Sequence, residues 1–176
     1  MAVGEVGAMV GSERPVSSGM LRAIVWGGLL AGLADALYAT LYFGFQGAKP
    51  ARIWQSVASG LLGREAAVAG GLPTAFLGLG LHFFIAFTAA AVYVLASRWL
   101  PVLVQRAVLC GCLYGLWVYI FMNAVVIPLS AIGPRKNSWI APTMTFFTGL
   151  AVHVFGVGLG IALPARRAAL RERGAD

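Results

Sequence analysis

Residues 72–95 read LPTAFLGLGLHFFIAFTAAAVYVL, an apolar run with no acidic or basic side chain and a single histidine, His82. A helix needs about 20 mostly apolar residues to cross the hydrocarbon core of a bilayer, and this run supplies them. Three more stretches of the same kind flank it, at 21–45, 103–129 and 142–163. With 60% hydrophobic and 11% charged residues in 176, and a mean hydropathy of +0.84, a water-soluble fold would expose more apolar surface than monomers tolerate. The sequence therefore predicts an all-α integral membrane protein with four transmembrane helices in one bundle, residues 20–165. A Gly-, Ser- and Glu-containing tail over 1–19 carries no periodicity and is read as mobile. A basic tail follows at 166–176. The first stretch resembles a signal peptide, with Arg22 before the apolar run and a small-residue site near Ala34. It continues through Tyr38, Leu41, Tyr42 and Phe43, beyond the usual signal core, and is read as a retained helix.

The opening run contains the pattern TxFxGLxxHxF as Thr74, Phe76, Gly78, Leu79, His82 and Phe84. It recurs 71 residues later as Thr145, Phe147, Gly149, Leu150, His153 and Phe155. The pattern GxxxGL likewise occurs as Gly28, Gly32, Leu33 and, 83 residues on, as Gly111, Gly115, Leu116. Recurrence at a constant offset is the mark of an internal duplication. The chain reads as two helical hairpins, about 21–97 and 103–165. An even number of crossings per copy relates them by a pseudo-twofold axis along the membrane normal, which sets equivalent residues at one depth. The GxxxG glycines, with Gly78 and Gly149, are read as close helix contacts.

The two offsets differ by 12, so the first hairpin carries an insertion, found at 51–62. There Ile53, Trp54, Val57, Leu61 and Leu62 share one face and Arg52, Gln55, Ser56 and Ser59 the other, with Pro50 and Gly63 as start and stop signals. Too short to span, this segment is expected to be an interfacial amphipathic helix anchored by Trp54; a re-entrant half-helix is the other reading. The matching connection of the second hairpin, SAIGPRKNSW, is expected to be a turn-rich loop.

Asp35, inside the first span, costs from about 3 kcal/mol upward as a free charge at that depth, so it needs a partner or a proton. His82 and His153, the protein's only histidines, enter from the opposite face at similar depth. Asp35, His82 and His153 define a midplane polar cluster that Tyr38 and Asn123 can extend. Three readings stay open: polar glue between helices, a proton or ion relay, or ligation of haem b or another metal by His82 and His153. Cys110 and Cys112, two apart on a helix, face different ways and are read as packing residues. No phosphate loop, HExxH or CxxC is present, and no catalytic residue is assigned.

Eight basic residues, Arg14, Arg22, Arg98, Arg106, Arg166, Arg167, Arg171 and Arg173, fall on the side of the termini, against Lys49, Arg52, Arg64, Arg135 and Lys136 opposite. This imbalance places both termini in the cytoplasm. The net charge of +7 is thus a positive-inside signal rather than a nucleic-acid face. Arg166, Arg167, Arg171 and Arg173 are expected to meet anionic lipid headgroups.

From about residue 80 the chain resembles a known family. His82 and Tyr93 in one helix, Arg98 and Pro101 in a basic turn, Gly111, Gly115, Pro128 and Leu129 in the next helix, then Pro134, Gly149, His153, Arg166 and Arg167 are similar to the YagU-like small bacterial inner-membrane proteins. The resemblance covers about residues 80–167; the segment before residue 70 does not follow it. It implies a bacterial inner membrane and four helices, and brings no activity or catalytic residues. The expected function is non-enzymatic: a transport-type or proton-handling membrane protein. The alternative is a structural or assembly subunit, and the third reading is a haem-binding protein. The expected partners are the bilayer and a second copy in a homodimer. In a background lacking Cys110 and Cys112, an impermeant thiol reagent applied from outside should label cysteines placed at Ala48 and Asn137 and spare those at Leu100 and Leu170; the reverse pattern would invert the topology.

Overall fold

A computed structural model describes residues 17–133 and 143–174. The tail through residue 16, the stretch 134–142 and the basic side chains Arg14, Arg135 and Lys136 lie outside the described residues. Among the described residues every regular element is helical: α1 (Ser18–Phe45), α2 (Pro50–Leu62), α3 (Arg64–Ala69), α4 (Gly71–Ala96), α5 (Val102–Gln105), α6 (Ala107–Leu129) and α7 (Met144–Arg173). Four of them, α1, α4, α6 and α7, are long and apolar enough to cross a membrane.

Element ends differ from the sequence expectation where side chains, not hydropathy, set them. α1 begins at Ser18 because the Ser17 hydroxyl accepts from the Met20 amide at 3.1 Å, a side-chain N-cap. Ser18 and Gly19 thus belong to the helix, with Ser17 as its cap, rather than to the tail expected over 1–19. The third span starts at Ala107 instead of residue 103, since Arg106 (φ −111°, ψ 46°) breaks the chain after the short α5. α7 continues through Pro164 to Arg173, so most of the expected basic tail is helix. Pro164 removes one backbone donor there, a loss that neighbouring helices in a bundle help absorb.

The bundle is small inside and bulky outside. Every buried residue of α1 is alanine or glycine: Ala23, Gly27, Gly28, Ala31, Gly32 and Ala36. Trp26, Leu30, Leu33, Leu37 and Leu41 line its exposed side. Small residues on the buried side let the helix backbones approach closely, and that close approach supplies the packing. α1 is the central element, packed against both α4 and α7, while α6 packs on α7 and α2 lies across α4. A methyl group on Gly28 or Gly32 would meet Phe87 or Phe83 of α4; one on Gly111 would lie 2.8 Å from Ala162 Cβ, and one on Gly115 2.0 Å from the His153 carbonyl oxygen, both on α7. Each GxxxG pair therefore faces the following long helix of its own hairpin. Residues sharing a place in TxFxGLxxHxF also share a placement: Phe76, Phe84, Phe147 and Phe155 point outward, whereas Gly78 and Gly149 are buried.

Two π-helical turns interrupt the α geometry, Met122–Val126 in α6 and Val152–Gly158 in α7. Such turns often accompany functional positions, and these enclose Asn123 and His153.

Gly115→Ala should force α6 off α7, since the clashing partner is backbone and cannot swing away, at a cost of about 1–3 kcal/mol. Gly80→Ala, whose methyl meets nothing within 4 Å, should be neutral. Unfolding of the two purified variants in detergent checks the difference.

Candidate functional site

Asp35 on α1 faces α4 and α7 together. Its Oδ2 lies 3.9 Å from His82 Nδ1 and its Oδ1 3.8 Å from His153 Nδ1. At 1.5 Å per residue the three side chains sit about 15, 16 and 14 Å along their helices from the Phe45, Gly71 and Met144 ends. All three are largely enclosed, with side-chain exposures of 23% for Asp35, 14% for His82 and 17% for His153. One carboxylate thus stands between the two imidazoles.

Backbone carbonyls fix the ring protons. His82 Nε2 donates to the Gly32 oxygen at 2.9 Å, and His153 Nδ1 donates to the Gly149 oxygen at 2.9 Å. A carbonyl can only accept, so Nε2 of His82 carries hydrogen and its Nδ1, which faces Asp35, bears either a lone pair or a second proton. His153 presents a different arrangement: the N–H bound to Gly149 is the one nearest Asp35, and its Nε2 takes no hydrogen bond among the described residues. Neither separation is a hydrogen bond.

Each imidazole meets an aromatic ring edge-on. Trp54 of α2 lies 5.4 Å from His82 between centroids, and Tyr119 of α6 lies 5.2 Å from His153. Trp54, expected as an interfacial anchor, reaches His82 because α2 rides on Gly78, where a methyl would fall 1.9 Å from the Trp54 carbonyl oxygen. α2 turns Gln55 and Ser59 inward, with Gln55 Nε2 donating to the Gly71 oxygen at 2.7 Å, and leaves Leu61 and Leu62 exposed.

The two expected extensions of the cluster are placed beside it. Tyr38 hydrogen-bonds Thr148 Oγ1 at 2.8 Å, and Thr148 in turn donates to the Met144 oxygen, so Tyr38 serves as donor. One turn on, Tyr42 pairs with Thr145 at 2.9 Å and stacks on Tyr38. Asn123 donates to the Tyr119 oxygen at 2.9 Å and reaches the cluster only through that residue. Sequence reasoning missed Thr148, Tyr42 and Tyr119. A hydroxyl at Thr148, one helical turn before Val152 and adjoining the GL of the repeat, was the available signal, but apolar periodicity gives such residues no weight.

Among the described residues, no group of three or more His, Cys, Asp and Glu side chains is arranged to hold a metal ion. Compared with family models, with curated proteins and with solved structures, the chain matches none.

Tyr38→Phe should cost only about 0.5–1.5 kcal/mol, because Thr148 keeps its bond to the Met144 carbonyl and no polar group is orphaned. Tyr38→Phe with Thr148→Val should add little more; a double-mutant cycle in detergent measures the coupling.

Proposed function

We propose that this is a small non-enzymatic membrane protein that handles protons, of transport type, with Asp35 and His82 as the exchanging pair and His153 as the second base. The observation that carries this reading is the placement of one part-buried carboxylate between two imidazoles, 3.9 and 3.8 Å away, with the bond from His82 Nε2 to the Gly32 carbonyl turning the opposite ring nitrogen toward Asp35. A titratable group inside a span is a functional candidate by its expense alone. Two further features support the reading: the carboxylate accepts no hydrogen bond among the described residues, and His153 Nε2 takes none either.

Structural glue is the second reading, and the two imidazole-to-carbonyl bonds favour it, since they tie α4 to α1 and brace α7. Bis-histidine haem fits less well: a carboxylate occupies the space between the rings, and His82 Nε2 is engaged. The matched placement of the two TxFxGLxxHxF copies supports a duplicated hairpin. On that reading Asp35 corresponds to Val118 at the 83-residue offset, so only the first copy carries the acid. We also place the chain in a bacterial inner membrane with cytoplasmic termini, as the resemblance and the basic side chains imply, and with a second copy supplying the wall that four helices lack.

Reconstituted into vesicles holding a pH-sensitive dye and driven by an imposed potassium potential, the wild type should dissipate a proton gradient. Asp35→Asn keeps the side chain's shape while removing the exchangeable charge. It should fold like the wild type and lose most of the flux; a folded variant with unchanged flux would leave the cluster as glue.

A further inference from the structure

At the end of the bundle opposite the Asp35 cluster, α1 and α7 part to leave a groove of about 640 Å³. Three guanidinium groups line it: Arg22 from α1, and Arg167 and Arg171, one turn apart on α7. Among the described residues none of the three forms an ion pair. Glu172, the one carboxylate on the lining, accepts from the hydroxyl of Ser17 and lies against Gly19 at the α1 N-terminus, to one end of the groove's lining. Below the arginines the lining turns apolar. Trp26 and Leu30 follow Arg22 at one-turn intervals toward the middle of the span and are 59% and 46% exposed.

From this arrangement we infer that the groove is a binding site for one anionic phospholipid, its phosphate held by Arg22, Arg167 and Arg171 and an acyl chain lying along Trp26 and Leu30. The order of chemistry along α1 is what selects this ligand. A soluble anion would use the arginines and leave the apolar floor bare, whereas a lipid phosphate is followed by hydrocarbon in the direction in which the lining changes. Guanidinium groups are suited to phosphate because their planar donors engage two oxygens at once. Basic pockets between helices at the cytoplasmic side are where such headgroups lodge.

The site also divides the basic residues of α7. Arg167 and Arg171 face α1, while Arg166 and Arg173 line a separate, smaller depression with Val104 and Gln105 near α5. That division supplies a control of equal charge. The double variants R167Q/R171Q and R166Q/R173Q each remove two positive charges from exposed positions of one helix, and only the first disarms the groove.

The full-length protein, purified in a neutral detergent, is titrated with dioleoyl phosphatidylglycerol, with dioleoyl phosphatidylcholine, or with inorganic phosphate. Its thermal midpoint is followed, and retained lipid is counted by native mass spectrometry. Phosphatidylglycerol should raise the midpoint of the wild type and of R166Q/R173Q and remain bound one per chain. R22Q should hold it about fivefold less tightly, as loss of one near-surface arginine implies, and R167Q/R171Q should show neither shift nor bound lipid. Equal loss in the two double variants would reduce the effect to bulk surface charge and overturn the site. So would an equal shift with inorganic phosphate, which marks a soluble-anion site, or no preference over phosphatidylcholine.

Discussion

The buried side of α1 has no side chain larger than a methyl group, and the rest of the molecule depends on this. Because Ala23, Gly27, Ala31 and their neighbours let α4 and α7 approach the α1 backbone, residues on both flanking helices can reach the same point on it. A leucine stripe would have held the helices further apart. Close approach also brings the carbonyl of Gly32 within reach of a side chain from another helix, which a bulky neighbour would have covered. Packing and polar chemistry are therefore one design: the glycines that fill the role of helix contacts also expose the backbone oxygen that orients His82.

Orientation by backbone differs from orientation by side chain in one useful respect. A carbonyl cannot ionise, so the tautomer it selects does not change when the neighbouring acid gains or loses a proton. Gly32 thus holds the ring with its other nitrogen turned toward Asp35. His153 is held differently, by a bond to the carbonyl one turn back on its own helix, within a stretch wound as a π turn. Its ring belongs to α7 alone and moves with it. Shifts of α7 against α1 would therefore alter the Asp35–His153 distance and leave the distance to His82 unchanged.

Hydropathy made the four long helices legible, and repetition singled out both histidines, because each is a property of residue type at fixed spacing. The 51–62 segment was legible as a helix from Pro50 and Gly63, and its partner was not. That Trp54 lies on His82 depends on Gly78 admitting the α2 backbone, a long-range contact with no local signature. Tyr38 was singled out as one turn from Asp35, yet its hydroxyl is 2.8 Å from Thr148, since α7 presents a nearer acceptor than the carboxylate. The π turn of α7 left no local trace, although it is the stretch whose backbone approaches Gly111 and Gly115. The end of α1 at Ser18 turned on one hydroxyl, a cap that apolar run length cannot locate.

The cluster contains one acid and two bases, and that inequality bears on what it can do. Gly32 and Gly115 stand in comparable relations to the two histidines, the first accepting from the His82 ring and the second packed under the His153 carbonyl. Three residues beyond Gly32 is Asp35; three beyond Gly115 is Val118, which is buried. With valine there, a single carboxylate faces both imidazoles, one oxygen toward each, while each ring keeps its own bond to a backbone carbonyl. The same small-residue contacts that hold the bundle together therefore set how near that carboxylate stands to both rings.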